Sequence, residues 1–252
     1  MFPVIQIGPL SIQSAGLFIL AGFYFALLVT GNAAKAAGLV SGKIENTILI
    51  SAAAGLVGAR LGFLVQNPDV FRNNLDGIFS PSGSLLDLSS GILFALLTAA
   101  ILLQKYHLPV LKVLDATALG AAIQTVGVLL SRFASGGDLG IATGLGWGLQ
   151  IAGQVRHPVQ VYEILSIVIL GAICRWSFRR KKESFPDGVT FFLTSAAIAS
   201  ILVIMQVFHE SSNYIYKFRT DQLAYLVILV ISLISVEVLF SRRVSKLKEE
   251  TN

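Results

Sequence analysis

The sequence predicts an all-α polytopic membrane protein: seven transmembrane helices, N-terminus outside and C-terminus cytoplasmic, with residues 1–252 forming a single transmembrane domain. Three observations predict it. Of the 252 residues, 54% are hydrophobic and only 13% charged, about half the charge of a soluble domain, and the mean hydropathy is +0.75. The apolar runs are far longer than barrel strands need, so helices are the spanning elements. The basic residues gather in alternate loops, which reads as topology and not as a nucleic-acid surface, despite a formal charge of +5.

The first fourteen residues are too polar to read as a signal peptide, with no basic start and no clear cleavage site. Within them Ile5-Gln6-Ile7-Gly8-Pro9-Leu10-Ser11-Ile12 alternates around a Gly-Pro turn and reads as a small interfacial segment. The spans follow at about 15–37, 45–66, 86–104, 113–130, 159–176, 189–208 and 223–240. Turn signals such as Asn67-Pro68, Asp76-Gly77 and Ser80-Pro81-Ser82-Gly83 mark 67–85 as a polar connection along the membrane surface. Residues 131–156 form the most unusual loop, with seven glycines together with Arg132, Asp138, Trp147 and Gln154. Its glycines permit close backbone paths against a ligand or a bilayer, and they match no nucleotide-binding fingerprint.

Orientation follows from the cations. Lys35, Lys43, Lys105, Lys112, Arg175, Arg179, Arg180, Lys181, Lys182 and the tail residues Arg242, Arg243, Lys246 and Lys248 fall on one side. Arg72, Arg132, Arg156, Lys217 and Arg219 fall on the other, with Arg60 inside the second span. Thirteen against five puts the tail in the cytoplasm. Arg132, Asp138, Arg156, His157, Glu210, Arg219 and Asp221 then share the outer face.

The densest polar run in the chain is Gly153-Gln154-Val155-Arg156-His157-Pro158-Val159-Gln160-Val161-Tyr162-Glu163. Pro158 sits where it opens the fifth helix. Glu163 then lies in the early turns, favoured by the helix dipole, and an ionisable group there is a functional-site hypothesis by default. Arg60, among Gly55, Gly58 and Gly62, either reaches a lipid phosphate or snorkels to the nearest headgroup layer. Asp115 reads equally as an ordinary helix-start carboxylate or as a site residue. Arginines at the outer face suit an anionic headgroup, because a guanidinium grips phosphate through two N–H groups. Cys174 stands alone and His107, His157 and His209 are widely separated, so no metal motif is present and no cofactor is expected.

The run His157-Pro158-Val159-Gln160-Val161-Tyr162-Glu163 resembles the His-Pro-x-Gln-x-Tyr-Glu motif of the prolipoprotein diacylglyceryl transferase family. Gly58-Ala59-Arg60-Leu61-Gly62 is similar to its second-helix motif, and Ile7-Gly8-Pro9 with Gly16-Leu17 to its N-terminal pattern. Asp115-Ala116 and Phe218-Arg219-x-Asp221 match two further positions. The family's central signature, Gly-Arg-x-Gly-Asn-Phe-x-Asn-Gly-Glu, is altered. With Phe133 as anchor its arginine falls on Leu129, its asparagine on Arg132 and its glutamate on Gly137. Ser89-Ser90-Gly91 stands where the family has His-Gly-Gly, and Ala15 where it has a first-helix tyrosine.

The resemblance implies transfer of a diacylglyceryl group from phosphatidylglycerol to the lipobox cysteine of preprolipoproteins in the bacterial cytoplasmic (inner) membrane. It implies no cofactor. The expected partners are that lipid and those preprolipoproteins, and the expected form is a monomer. The site residues it implies are His157, Arg132, Glu163 and Tyr162 for catalysis, Arg60, Arg132 and Arg219 for the lipid phosphate, and Gln160, Asp115, Asp138 and Asp221 in support. His157 is then either a base or a structural hydrogen-bond partner, Glu163 a proton carrier or the orienter of an arginine, and Arg132 a counter-charge or an interfacial anchor. Two alternatives stand beside this reading: a non-catalytic relative that binds lipid or lipoprotein, and a small membrane transporter.

Overall fold

A computed structural model of the chain describes residues 4–7, 10–69, 85–151, 153–180, 185–210, 214–215 and 218–250. Seven long helices are present among them: α1 (Ser14–Ala36), α2 (Ser41–Gln66), α3 (Leu88–Lys105), α4 (Val110–Ser135), α5 (Val159–Arg180), α6 (Val189–Met205) and α7 (Thr220–Glu250). Six of the described helices are long and apolar enough to cross a membrane, and α5 contributes a shorter apolar stretch, Val159–Ile173. The chain is therefore an all-α, polytopic membrane protein with about six long apolar helices. Many large apolar side chains on these helices face outward, among them Leu20, Leu96, Ile101, Ile169 and Ile234, as a lipid solvent permits.

Three short antiparallel hairpins interrupt the helical pattern: β1 (Val4–Ile7) with β2 (Leu10–Gln13), β3 (Leu149–Ile151) with β4 (Gln154–Arg156), and β5 (Tyr214–Ile215) with β6 (Phe218–Arg219). The alternating N-terminal segment forms the first of them, with Ile5 opposite Ile12. Most of the connection expected at 67–85 lies outside the described residues.

The chain divides into two compact units, Ala34–Val113 and Met1–Ala33 with Leu114–Asn252. In the first, α2 and α3 pack through small residues. A side chain added at Gly55 would come within 3.0 Å of Ala95 and 3.1 Å of the Gly91 carbonyl, and one at Gly58 would collide with Phe94. Gly55, Gly58, Ala59 and Gly62 thus form the close-approach face. Arg60 donates to the Leu85 carbonyl at 3.0 Å. In the second unit, α1 meets α4 at Gly22 against Gly127, where an added Cβ would lie 2.9 Å from the opposite Cα. Ala122 and Leu129 of α4, Ile167 of α5 and Ile198 and Leu202 of α6 form the buried cluster, with Tyr225 of α7 packed against it.

The expected end of the fourth helix is corrected. Residues 131–135 continue α4, so Arg132 belongs to its last turn and not to the glycine-rich loop. The helix stops at Gly136, whose φ of +74° lets the chain turn back. Gly136 N–H then donates to the Phe133 carbonyl and Gly137 N–H to the Arg132 carbonyl, which satisfies two orphan carbonyls of the last turn.

Candidate functional site

The site grows from the two ends that α4 and α5 present to the same loop. Beyond Gly136 the chain enters Asp138 in a left-handed conformation, φ +52°, which aspartate tolerates better than most residues. Gln160, in the first turn of α5 and only 3% exposed, donates its amide to the Gly137 carbonyl at 3.1 Å and the Asp138 carbonyl at 2.6 Å. That pins the turn, and the Asp138 carboxylate reaches back to Arg132 at 3.0 Å. Arg132 also interacts with the hydroxyl of Tyr225 and the carboxylate of Asp221, both on α7.

The strand-like segment 139–143 is stitched on both sides. The bonds Thr143 N–H to Val155 O and His157 N–H to Ile141 O hold it to the run before α5, and Ile141 N–H to Phe208 O and Glu210 N–H to Leu139 O hold it to the segment that follows α6. Gly140 lies so close to the His157 carbonyl that no side chain fits there. Arg156 closes the same seam through the Glu210 carboxylate, the Gly140 carbonyl and the Gln154 side chain.

At the start of α5, Pro158 presents its carbonyl to Val161 N–H, as expected of a proline at a helix start. This turn brings His157 Nδ1 to 3.3 Å from the Tyr162 hydroxyl, and the same oxygen accepts from the Trp147 indole at 3.0 Å. Glu163 turns inward and is 2% exposed. Its Oε1 lies 3.2 Å from Nε2 of buried His209, while its Oε2 is buried without a hydrogen-bond partner among the described residues.

A cavity of about 330 Å³ opens between α4, α6 and α7. Its walls are largely apolar: Val128 and Leu129 from α4, Ile198 and Leu202 from α6, Ile228 from α7. Arg132 and Tyr225 contribute its strongest polar groups. A largely apolar cavity with a guanidinium in its lining is complementary to an amphiphile with an acyl chain and an anionic head.

The structure thus brings together Arg132, Asp138, Gln160 and Asp221, and separately joins His157 to Tyr162 and Glu163 to His209. Asp115 lies elsewhere. Seventeen residues of α4 separate it from Arg132, about 25 Å along the axis, and its carboxylate accepts the N–H groups of Gly188 at 2.6 Å and Phe191 at 2.9 Å. It caps α6, so its helix-terminus role prevails, though on a different helix from the expected one. Arg60 belongs to the other compact unit, and the side chain of Arg219 lies outside the described residues. Sequence reasoning missed Tyr225 and the pairing of His209. A tyrosine in the first turns of a membrane helix reads as an interfacial anchor, and its spacing of four from Asp221 was the available signal that both face Arg132.

A family model described as prolipoprotein diacylglyceryl transferase matches residues 3–238. Proteins named phosphatidylglycerol–prolipoprotein diacylglyceryl transferase are similar along most of their length. The one from Finegoldia magna is 25% identical over 239 residues, covering 93% of this chain and 94% of its own. That from Clostridioides difficile is 26% identical over 189 residues, 75% of each chain. That from Symbiobacterium thermophilum is 27% identical over 243 residues, covering 91% and 89%. With the match running from the first hairpin through most of α7, the chain belongs to the prolipoprotein diacylglyceryl transferase family.

Proposed function

We propose that this chain transfers the diacylglyceryl group of phosphatidylglycerol to the lipobox cysteine of preprolipoproteins in the bacterial inner membrane, with Arg132 holding the lipid phosphate. The observation that carries the site assignment is that Leu129 and Arg132 line one cavity. Leu129 stands where the family signature has its arginine. Residues three apart are neighbours on a helix face, and one turn rises only about 5 Å. A guanidinium at 132 therefore serves the same space from one turn further along.

In the reaction the cysteine sulfur attacks the glyceryl carbon bonded to the phosphate ester oxygen. The C–S bond forms, the C–O bond breaks, and glycerol-1-phosphate leaves with the electron pair. Arg132 supplies a fixed counter-charge where negative charge develops, and Asp138, itself held by Gln160, keeps the guanidinium in place. The thiol proton goes to His157. The Trp147 indole is a donor only and gives its hydrogen to the Tyr162 oxygen. If His157 also donates Nδ1–H to that oxygen, its Nε2 lone pair is free to accept the proton. Glu163 and His209 brace the start of α5 from the inside. Arg219, next to Asp221 in sequence, adds a second cation for the headgroup, and Arg60, in the other compact unit, is a lipid-phosphate contact of its own.

All seven helices cross the membrane as one transmembrane domain, residues 1–252, working as a monomer. The boundaries between the compact units fall inside α1 and α4, not in linkers. The thirteen-to-five division of basic residues supports an external N-terminus and a cytoplasmic C-terminus. Reporter fusions after Lys182 and Asn252 should then read as cytoplasmic and one after Gly83 as external. An external reading at Asn252 would reverse this topology.

The activity is tested by transfer of label from phosphatidylglycerol to a lipobox peptide, in membranes of a host depleted of its own transferase. Wild type transfers label, Arg132→Ala loses most of it, and Arg132→Lys keeps part, because charge remains without the fork. No transfer by folded wild type removes the enzymatic reading. Full transfer by Arg132→Ala removes Arg132 from it.

A further inference from the structure

We infer that Tyr225 is a further phosphate-binding group of this site, its hydroxyl acting with the Arg132 guanidinium on the anionic phosphodiester of the lipid. This rests on the reading of the cavity as the lipid site. Three observations carry it. Tyr225 and Arg132 line the same otherwise mostly apolar cavity. The Tyr225 hydroxyl interacts electrostatically with the guanidinium. The ring itself is packed against the buried cluster of Ala122, Leu129 and Leu202, so the hydroxyl is held at that point instead of turning out to the headgroup layer as an interfacial tyrosine does.

The charges around Arg132 explain why a neutral donor is suited to this place. Asp138 sits 3.0 Å from the guanidinium, and Asp221 also acts on it. Two carboxylates against one cation leave the surroundings unfavourable to an arriving anion unless further donors face it. Arginine has five N–H groups and Asp138 engages only part of them. A Tyr225 oxygen facing the guanidinium can accept from it, which leaves its own O–H to give. Donation by Arg132 polarises that O–H and strengthens the bond it makes to a phosphate oxygen. Arg132 and Tyr225 lie on different helices, α4 and α7, so the two donors approach the phosphate from two directions while the acyl chain occupies the cavity between them.

The test is binding of phosphatidylglycerol and of diacylglycerol, which lacks the phosphate, to the purified full-length protein in detergent, followed by label transfer. Tyr225→Phe removes one oxygen and keeps the ring. It should weaken phosphatidylglycerol binding about tenfold and raise the apparent KM for the lipid by a similar factor. Diacylglycerol binding should stay within about twofold of wild type. Arg132→Ala should weaken phosphatidylglycerol binding more. If Arg132→Ala binds phosphatidylglycerol as wild type does, the lipid-site reading itself fails. If Arg132→Ala loses binding while Tyr225→Phe retains it, only the role of Tyr225 is overturned. Equal loss of both lipids in Tyr225→Phe also overturns it, since the ring would then matter only for packing. Glycerol-1-phosphate, added as a competitor, should bind wild type far more weakly than the lipid. Equal affinity would show that the site takes free phosphate esters without help from the apolar cavity.

Discussion

Gln160 offers the sharpest test of how the site is held. Its buried amide makes two hydrogen bonds, to the carbonyls of Gly137 and Asp138. Gln160→Leu keeps the volume and removes both donors, so no cavity is left and the loss is close to the hydrogen bonds alone. At about 1 kcal/mol each the destabilisation is about 2 kcal/mol. Both carbonyls belong to exposed residues, so water replaces part of what is lost and the figure is an upper one. For a chain of this size that shifts the melting temperature in detergent by only about 4 °C or less. Activity should fall further than stability does. Asp138 keeps its left-handed turn because Gln160 holds it, and once released its carboxylate no longer fixes Arg132, so label transfer should fall about tenfold. Gln160→Glu should be worse than Leu on both measures, since it turns a buried carboxylate towards two carbonyl oxygens. Thermal melts and label transfer on the three proteins decide it. Wild-type transfer by Gln160→Leu, or a Glu variant as stable as the Leu variant, would refute the chain from Gln160 through Asp138 to Arg132.

Three further outcomes follow from the same geometry. Asp115→Ala removes the cap from the start of α6 and should cost about 1–2 kcal/mol, lowering the melting temperature with little change in KM for phosphatidylglycerol; a large KM change would bring Asp115 back into the site. Gly58→Leu should disrupt the α2–α3 contact at Phe94 and sharply reduce folded yield, whereas Gly42→Ala, at a position with open space, should be tolerated. At the start of α3, the side-chain and backbone bonds to Ser90 hold the Asp87 carboxyl below its usual range. A lowered folded value means its contribution is complete above the unfolded value and disappears as pH falls through the folded one, so acid should loosen this helix start from about pH 4 downward. Asp87→Asn should lack that component of the acid transition in hydrogen exchange of α3, and an unchanged acid profile would refute it.

Hydropathy made the helices legible because a membrane span must be long and apolar regardless of its neighbours. It was least informative at the ends. Arg132 and Ser135 are polar, and polarity there suggested a loop, yet the stop is set by Gly136 and its left-handed backbone. The motif from His157 to Glu163 was legible as a dense polar run, since His157, Tyr162 and Glu163 lie within seven consecutive positions at the start of one helix. Their partners were not. His209 lies 46 residues from Glu163, and no periodicity links them; it was read as an isolated histidine. Asp115 shows the converse. It reads as a carboxylate at the start of its own helix, but that helix begins five residues earlier, at Val110, and Asp115 serves Gly188 and Phe191, more than seventy residues away. Local pattern identifies which residues are unusual, and only packing says whom they meet.

The altered signature can be understood from the depth at which a charge is tolerable. The α4 face towards the cavity runs Ala121, Gln124, Thr125, Val128, Leu129, Arg132, spaced as one helical stripe. Leu129 is 4% exposed and belongs to the buried cluster. An arginine there would lie among Ile167, Ile198 and Leu202 and would need a carboxylate at the same depth to offset its desolvation. One turn on, the Arg132 side chain is 40% exposed and Asp138 is in contact, so the same charge is carried with much less desolvation. An amphiphile favours that arrangement too. Its acyl chain gains from the apolar cavity, while its phosphate loses hydration if drawn below the rim. A guanidinium at the rim meets the phosphate where it remains partly hydrated, and the leucine one turn deeper leaves the cavity to the chain. If Arg132 holds the lipid phosphate as proposed, the shift from 129 to 132 keeps the charge within reach of the headgroup and removes a buried cation from the core of the helix bundle.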